Sequence, residues 1–233
     1  MKRLFILLAA AFLAGTAAAQ EAQTMYIIHN NTITHQIPLS EIDSIVFETP
    51  VFPPTEVGVV IDGIRWATRN VDAPGTFADN PQDAGMFYQW NRRVGWASTG
   101  YEWPGSMPGW NTSNPAGTTW TSANDPCPAG WRVPTLAELQ ALHNAGSTWI
   151  ANWNGTGING RLFGTAPYQI FLPAPGYRIN NTGGLDIPGW TGIYWSSTQH
   201  YSEDAQRLAF TSSAVFVNPH RRTFGFSVRC VAE

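Results

Sequence analysis

"FVNPHRRTFGFSVRC", residues 216–230, joins two unlike halves. From Phe224 onward the pattern alternates. Phe224, Phe226, Val228 and Cys230 share one phase, and Gly225, Ser227 and Arg229 the other, which predicts a strand with one face in a core. From Phe216 to Thr223 there is no period: an aromatic, an amide, a proline, an imidazole and two guanidiniums crowd together. Upstream, "AQRLAFTSS" (205–213) also alternates, with Leu208 and Phe210 inward and Arg207, Ala209 and Thr211 outward. "GIYWSST" (192–198) and "YQIFLPAPGYR" (168–178) read as buried strands, the second ended by proline and glycine.

The clearest helix is "PTLAELQALHNAG" (134–146). Thr135 and Glu138 form a capping box, Leu136, Leu139 and Leu142 repeat on one side, and Gly146 can close the end. Further back, "VGVVIDGIRWATRNVD" (57–72) holds strands around an Asp62-Gly63 turn, and "GMFYQWNRRVGW" (85–96) follows a polar loop. Residues 98–125 are rich in Gly, Ser, Thr, Asn, Pro and Trp without period, the mark of a long irregular region that covers a core or carries function.

The first fifty residues differ in kind. Lys2 and Arg3, the apolar run Leu4–Leu13 and Ala17-Ala18-Ala19 read as a signal peptide over 1–19; the run is too short for the ~20 residues of a membrane span. The chain is therefore expected to be exported to the periplasm, the cell surface or the medium, with no membrane span. A small β segment is expected over 20–50, with "MYIIH" and "TITHQIPL" flanking Asn30-Asn31 and "SEIDSIVFE" as a third strand. Pro-rich residues 51–58 form a linker, and 59–233 one domain.

Composition excludes several function classes. Charged residues make up 12% of the 233, against a typical ~25%, and the net charge is −3, so no nucleic-acid surface is indicated. Hydrophobic residues at 43% argue against disorder. The two cysteines, Cys127 and Cys230, form an even pair, which in an exported chain favours a disulfide over two separate buried thiols. No Ser/His/Asp grouping, H-E-x-x-H or phosphate loop is present, and Asp186, Glu203 and Asp204 are too scattered for a calcium loop. The expectation is a non-enzyme with no cofactor and no metal. Trp96, Trp103, Trp110 and Trp120 read as a satellite core under long loops, with stacking on sugars as the alternative; Trp131, Trp149, Trp153 and Trp195 read as core.

Five segments in order, "GIRWATRNVDAPGTFADNPQDAGMFYQWNR", "DPCPAGWRVPTLAELQAL", "FLPAPGYR", "GIYWSST" and "FGFSVRCV", resemble the Fibrobacter succinogenes major paralogous domain of exported Bacteroidetes proteins, over roughly residues 57–231. "IPLSEIDSIVF" resembles a short module that begins many such proteins. The resemblance implies an α+β, C-type-lectin-like fold with a mostly antiparallel sheet and long irregular loops, preceded by the small β segment.

The tail from Gly192 is similar to the variable region of proteins diversified by retroelements, in which adenine-directed mutagenesis rewrites scattered codons on a tolerant lectin-like scaffold. That resemblance implies scaffold positions at Tyr194, Trp195, Ser196, Ser197, Leu208, Phe210, Gly225, Phe226 and Val228. It implies ligand-binding positions at His200, Tyr201, Asp204, Arg207, Ala209, Thr211, Phe216, Val217, Asn218, His220 and Arg221. Gln206 departs from the pattern, because an Asn codon cannot yield Gln by changes at adenines alone. Residues 216–223 would then be a displayed loop before the last core strand, with His200, Tyr201, His220, Arg221 and Arg222 as a candidate ligand patch, and with His200, Tyr201, Asp204, Arg207, Phe216, Asn218, His220 and Arg221 converging on one exposed face. The implied function is recognition of, or adhesion to, a protein or glycan on a cell or phage surface. The alternatives are a non-diversified structural or glycan-binding surface protein and, more remotely, a catalyst like the formylglycine-generating enzymes, whose active cysteine pair has no counterpart here.

Overall fold

The computed structural model describes residues 24–29, 32–39 and 56–233. They belong to two compact units, Met1–Pro54 and Thr55–Glu233. In the first, β1 (Thr24–His29) and β2 (Thr32–Pro38) form an antiparallel hairpin whose register shifts once, between Ile27 and Ile28. The leader expected at 1–19, the turn expected at Asn30-Asn31, the third strand expected within 40–48 and most of the expected Pro-rich linker lie outside the described residues.

The second unit is α+β, with antiparallel strand pairing and one α-helix among the described residues. Its early strands are β3 (Val59–Ile61), β4 (Ile64–Trp66), β5 (Phe87–Gln89), β6 (Gly95–Trp96) and β7 (Trp131–Arg132). After α1 (Leu136–Asn144) come β8 (Ser147–Ile150), β9 (Gly160–Thr165), β10 (Tyr168–Pro173), β11 (Tyr177–Arg178) and β12 (Leu185–Asp186). The tail adds β13 (Gly192–Gln199), β14 (Asp204–Phe210), β15 (Val215–Arg221), β16 (Gly225–Phe226) and β17 (Val231–Ala232). They form sheets in the orders β3-β4-β17-β7, β12-β11-β16-β5-β6, β10-β9-β8 and β13-β14-β15.

Several local readings meet their structure directly. Asp62 and Gly63 both have positive φ (50° and 79°), as a two-residue turn between twisted strands requires. The Thr135 hydroxyl accepts from the Glu138 N–H at 3.3 Å, and the Thr135 N–H donates to Glu138 Oε2 at 2.7 Å, completing the capping box. Glu138 also holds Arg132 at 2.6 Å, tying the helix start to β7. A disulfide joins Cys127, ahead of the helix, to Cys230.

Three expectations about the tail need correction. The first concerns β14. The sheet β13-β14-β15 lies between two cores. One holds Trp90, Trp195, Ala205, Ala209, Phe226 and Val228; the other holds Leu139, Leu142, Phe163, Tyr194, Leu208 and Phe210. The phase expected to face outward is therefore largely covered: Ala209 is buried and Arg207 half-buried. Alternation tells which residues share a face, not whether that face meets water.

The second correction is that most of 216–223 is not a loop. Val215–Arg221 pairs along its whole length with β14, from Phe210 opposite Val215 to Asp204 opposite Arg221. Pro219 is tolerated because β15 is an edge strand. The third is that 224–230 is not one strand. Phe226 pairs with Tyr88 in one sheet, whereas Val231 pairs with Trp66 and Arg132 in another. Arg229, between them, is 1% exposed and donates to Asn70 Oδ1 at 2.8 and 3.0 Å and to the carbonyls of Ala67 and Phe171 at 3.1 Å.

Buried arginines also organise the loops. Arg178 donates to the carbonyls of Ala97, Thr99, Gly100 and Gly183 at 2.6–3.2 Å. Arg222 donates to those of Ser202, Pro115, Ala116 and Gly117 at 2.8–3.3 Å, with its guanidinium 4.0 Å from the Trp90 ring. Irregular backbone that cannot pair in a ladder is satisfied instead by side-chain donors. Arg222 therefore leaves the exposed patch in which the sequence placed it. The Trp96 and Trp110 rings pack 5.0 Å apart and Trp120 sits 5.7 Å from Trp90, whereas Trp103 is exposed. Of the expected core tryptophans, Trp195 is fully buried and Trp131, Trp149 and Trp153 are half-buried.

Candidate ligand-binding face

Strand register decides which tail residues meet. Ile193, Ala209 and Phe216 lie side by side across β13, β14 and β15, as do Trp195, Arg207 and Asn218; Ala205 lies beside His220. Cross-strand partners share a face. Arg207, Ala209, Phe216, Asn218 and His220 therefore lie on one face. It is floored by Trp195 and Ala205 at the centre and opens at the edge strand, where Phe216 and Asn218 are exposed.

Three aromatic rings from other elements stand against this face. Arg207 Cζ lies 5.8 Å from the centroid of Phe226. The His220 ring is 4.3 Å from Phe224 and 5.4 Å from Phe226, and Tyr177 lies 5.9 and 6.0 Å from the same two rings. The Tyr177 hydroxyl donates to Asp186 Oδ2 at 2.9 Å, tying β11 to β12 at the rim. Tyr177, Asp186 and Phe224 belong to this site but not to the sequence-derived set. Tyr177 carries no sequence signal beyond closing a strand, and Phe224 falls on the core phase of the alternation.

The remaining expected residues fall elsewhere. Asp204, Val217 and Arg221 lie on the opposite phase of the sheet, and Val217 packs on the core beneath α1. His200 and Tyr201 sit in the β13–β14 connection with their rings 4.1 Å apart, Tyr201 exposed and His200 Nδ1 3.1 Å from Gln206 Nε2. Thr211 lies in the β14–β15 turn, its hydroxyl 3.3 Å from that of Ser213. The eleven residues thus divide between two faces and two turns. The single exposed face expected for eight of them is corrected to a narrower group around Arg207.

Electrostatics set that group apart. Arg207 Nε and Nη1 are buried with no hydrogen-bond partner in the protein. Burial lowers its pKa to about 10, which leaves it charged at neutral pH. His220 is pushed down to about 4 by burial, and repulsion from Arg207 and Arg221 adds to the effect, so its imidazole is neutral near pH 7. Tyr177 is raised to about 12 by burial and by its bond to Asp186. An unpaired buried donor costs about 1–3 kcal/mol. Two such donors meet on this one guanidinium, whereas Arg92 and Arg222 each leave only Nε unpaired.

A separate cleft of about 520 Å³ lies between residues 72–85 and the segments 157–159, 173–175 and 188–189. Asp72, Asp79 and Asp83 line it, and Asp83 accepts from the Asn80 backbone and side chain. Among the described residues no group of His, Cys, Asp and Glu is arranged to hold a metal ion.

A family model described as a domain of unknown function (DUF8237) matches residues 164–231, the part of the chain that carries β10 to β16 and the face around Arg207. No curated protein and no solved structure matches the chain.

Proposed function

We propose that this chain is an exported ligand-binding protein. The edge of its β13-β14-β15 sheet is the binding face, on a scaffold of the C-type-lectin-like kind that the major paralogous domain resemblance implies. The observation that carries this reading is the juxtaposition of Arg207, Phe216, Asn218 and His220 on one sheet face against Tyr177 and Phe224, with guanidinium donors left unpaired. A rigid, doubly covered sheet under an aromatic and polar rim loses little entropy when it binds. The Cys127–Cys230 disulfide is compatible with export, and no helix among the described residues is long and apolar enough to cross a membrane. The two cysteines are bonded to each other, so neither is a free thiol nucleophile. The role is surface recognition or adhesion toward a protein or glycan.

Retroelement diversification is the finer part of the proposal. A near-copy of the DNA encoding residues 194–230, differing mainly at adenines and lying near a reverse transcriptase gene, would support it; a locus without either would refute it. The binding reading has its own test. A variant with Phe216 and Asn218 changed to Ala should melt like the parent, since exposed substitutions cost within about ±0.5 kcal/mol each. It should also lose retention on a glycan array or on intact bacterial cells. Full retention by a folded variant would refute the reading.

A further inference from the structure

The described arginines spend their donors in visible ways. Arg69 pairs with Glu56 and Arg132 with Glu138. Arg161, Arg178 and Arg222 bond to backbone carbonyls, and Arg229 to carbonyls and Asn70. Arg207 and Arg221 do none of this, and of the two only Arg207 is half-buried, Arg221 being exposed. Two of the Arg207 guanidinium nitrogens are enclosed without a partner, while the third, Nη2, makes no hydrogen bond and is not enclosed, so it is the nitrogen that opens outward. A cation held against an aromatic ring with one nitrogen open can donate to an anion end-on from that corner.

The surroundings narrow the class of anion. A dianion such as a phosphate monoester would find no second cation on this face, because Arg221 lies on the other phase of the sheet and Arg222 is committed to carbonyls. It would also meet the Asp186 carboxylate beyond Tyr177. A monoanion needs no second cation and is repelled less by that carboxylate. Around Arg207 stand the Asn218 amide, which both donates and accepts, and the His220 imidazole, with the Phe216 ring at the rim. Hydroxyl groups bond to amides and neutral imidazoles, and the apolar face of a ring can lie on Phe216.

We propose that Arg207 anchors a carboxylate subsite that takes the acid group of an acidic sugar; this inference rests on the binding reading of the same face. Asn218 and His220 receive the neighbouring hydroxyls, and Phe216 covers the ring.

The test is an NMR titration of the full mature chain, following the Arg207 Nε–H and Trp195 indole N–H signals. The probes are methyl glucuronoside, methyl glucoside (the same sugar without the acid) and N-acetyl-glutamate amide as a peptide acid. The expected result is a saturable shift of both signals with the glucuronoside, about tenfold weaker binding of the glucoside, and about tenfold loss with Arg207→Gln. Arg207→Lys should recover part of the affinity, because it keeps the charge but not the reach and planarity of the guanidinium. The parent titration needs no variant to fold. Absence of any shift with the glucuronoside at millimolar excess overturns the subsite, as does equal binding of the glucoside. Tighter binding of the glutamate amide overturns the sugar assignment. If the array ligand of the parent is retained by Arg207→Gln but lost by Phe216→Ala, the carboxylate subsite fails while the binding face stands; if both variants retain it, the face itself fails.

Discussion

Arg221 and Arg222 are adjacent, identical in type and opposite in role, so a matched pair of substitutions tests the packing account closely. Arg222 is 1% exposed, donates four bonds to the carbonyls of Ser202, Pro115, Ala116 and Gly117, and lies 4.0 Å from the Trp90 ring. Arg222→Met keeps the length and removes every donor. Hydrogen bonds from a charged group contribute about 1.5–3 kcal/mol each, and they are not additive when they share one guanidinium. Three of the four carbonyl bonds are only partly buried, so water recovers part of the loss. Relief of a buried charge offsets some of the remainder, and loss of the cation–π contact adds about 0.5–2 kcal/mol. The expected net cost is about 3–4 kcal/mol. At ~2–4 °C per kcal/mol for a domain of this size, the melting point should fall by roughly 6–16 °C. Arg221→Met should change stability by no more than about 0.5 kcal/mol. Urea unfolding of both variants supplies the energies, and hydrogen exchange should show faster opening at 113–118 and 201–204 for Arg222→Met. A cost below about 1 kcal/mol, or equal costs for both variants, would refute the loop-anchoring role.

Reducing the Cys127–Cys230 bond, which closes a loop with a sequence separation of 103, should destabilise the fold by up to about 4–5 kcal/mol in chain-entropy terms, read as a drop in melting point in reductant. Phe226→Ala should cost roughly 3–5 kcal/mol, because the ring is fully buried between Trp195 and Tyr177; a cost near that of a surface change in urea unfolding would contradict its place in the core. His220, lowered to about 4 from 6.5, binds its proton more readily when unfolded. Its contribution is therefore fully present above pH 6.5 and is lost as pH falls toward 4, and His220→Gln should flatten stability over that window in pH-dependent unfolding. Glu138 works in the same sense at lower pH. Burial raises its pKa, but the bonds from Arg132 and Thr135 outweigh that and leave it lowered, so Glu138→Gln should weaken the acid-induced loss of stability below pH 4.5.

What was legible in the sequence was local. The capping box at Thr135 and Glu138, the Asp62-Gly63 turn and the alternation of β14 each depend on residues a few positions apart, and each is readable. The layering was not. Ala209 and Leu208 lie on opposite phases of one strand and are both buried, because a second core covers the face that alternation alone would send to solvent. The edge strand β15 was hidden by Pro219 and by the polar run around it, which resemble a loop until the pairing with β14 is seen. Arg222 could not be told from Arg221, since the carbonyls that bury it come from residues 105 to 107 positions away. The binding face was half legible for the same reason. Arg207, Asn218 and His220 come from the tail itself, whereas Tyr177 and Asp186 reach the site from β11 and β12.

The most direct measurement is a footprint of the bound ligand. With the parent protein and the ligand it retains best from the array, hydroxyl-radical footprinting should protect Phe216, Phe224, Tyr177 and His220. It should leave Trp103 and Trp190, both exposed, and Pro188, in the cleft that Asp79 lines, unchanged. Protection confined to that cleft or to the exposed tryptophans, with Phe216 and His220 unaffected, would contradict the edge of the β13-β14-β15 sheet as the binding face.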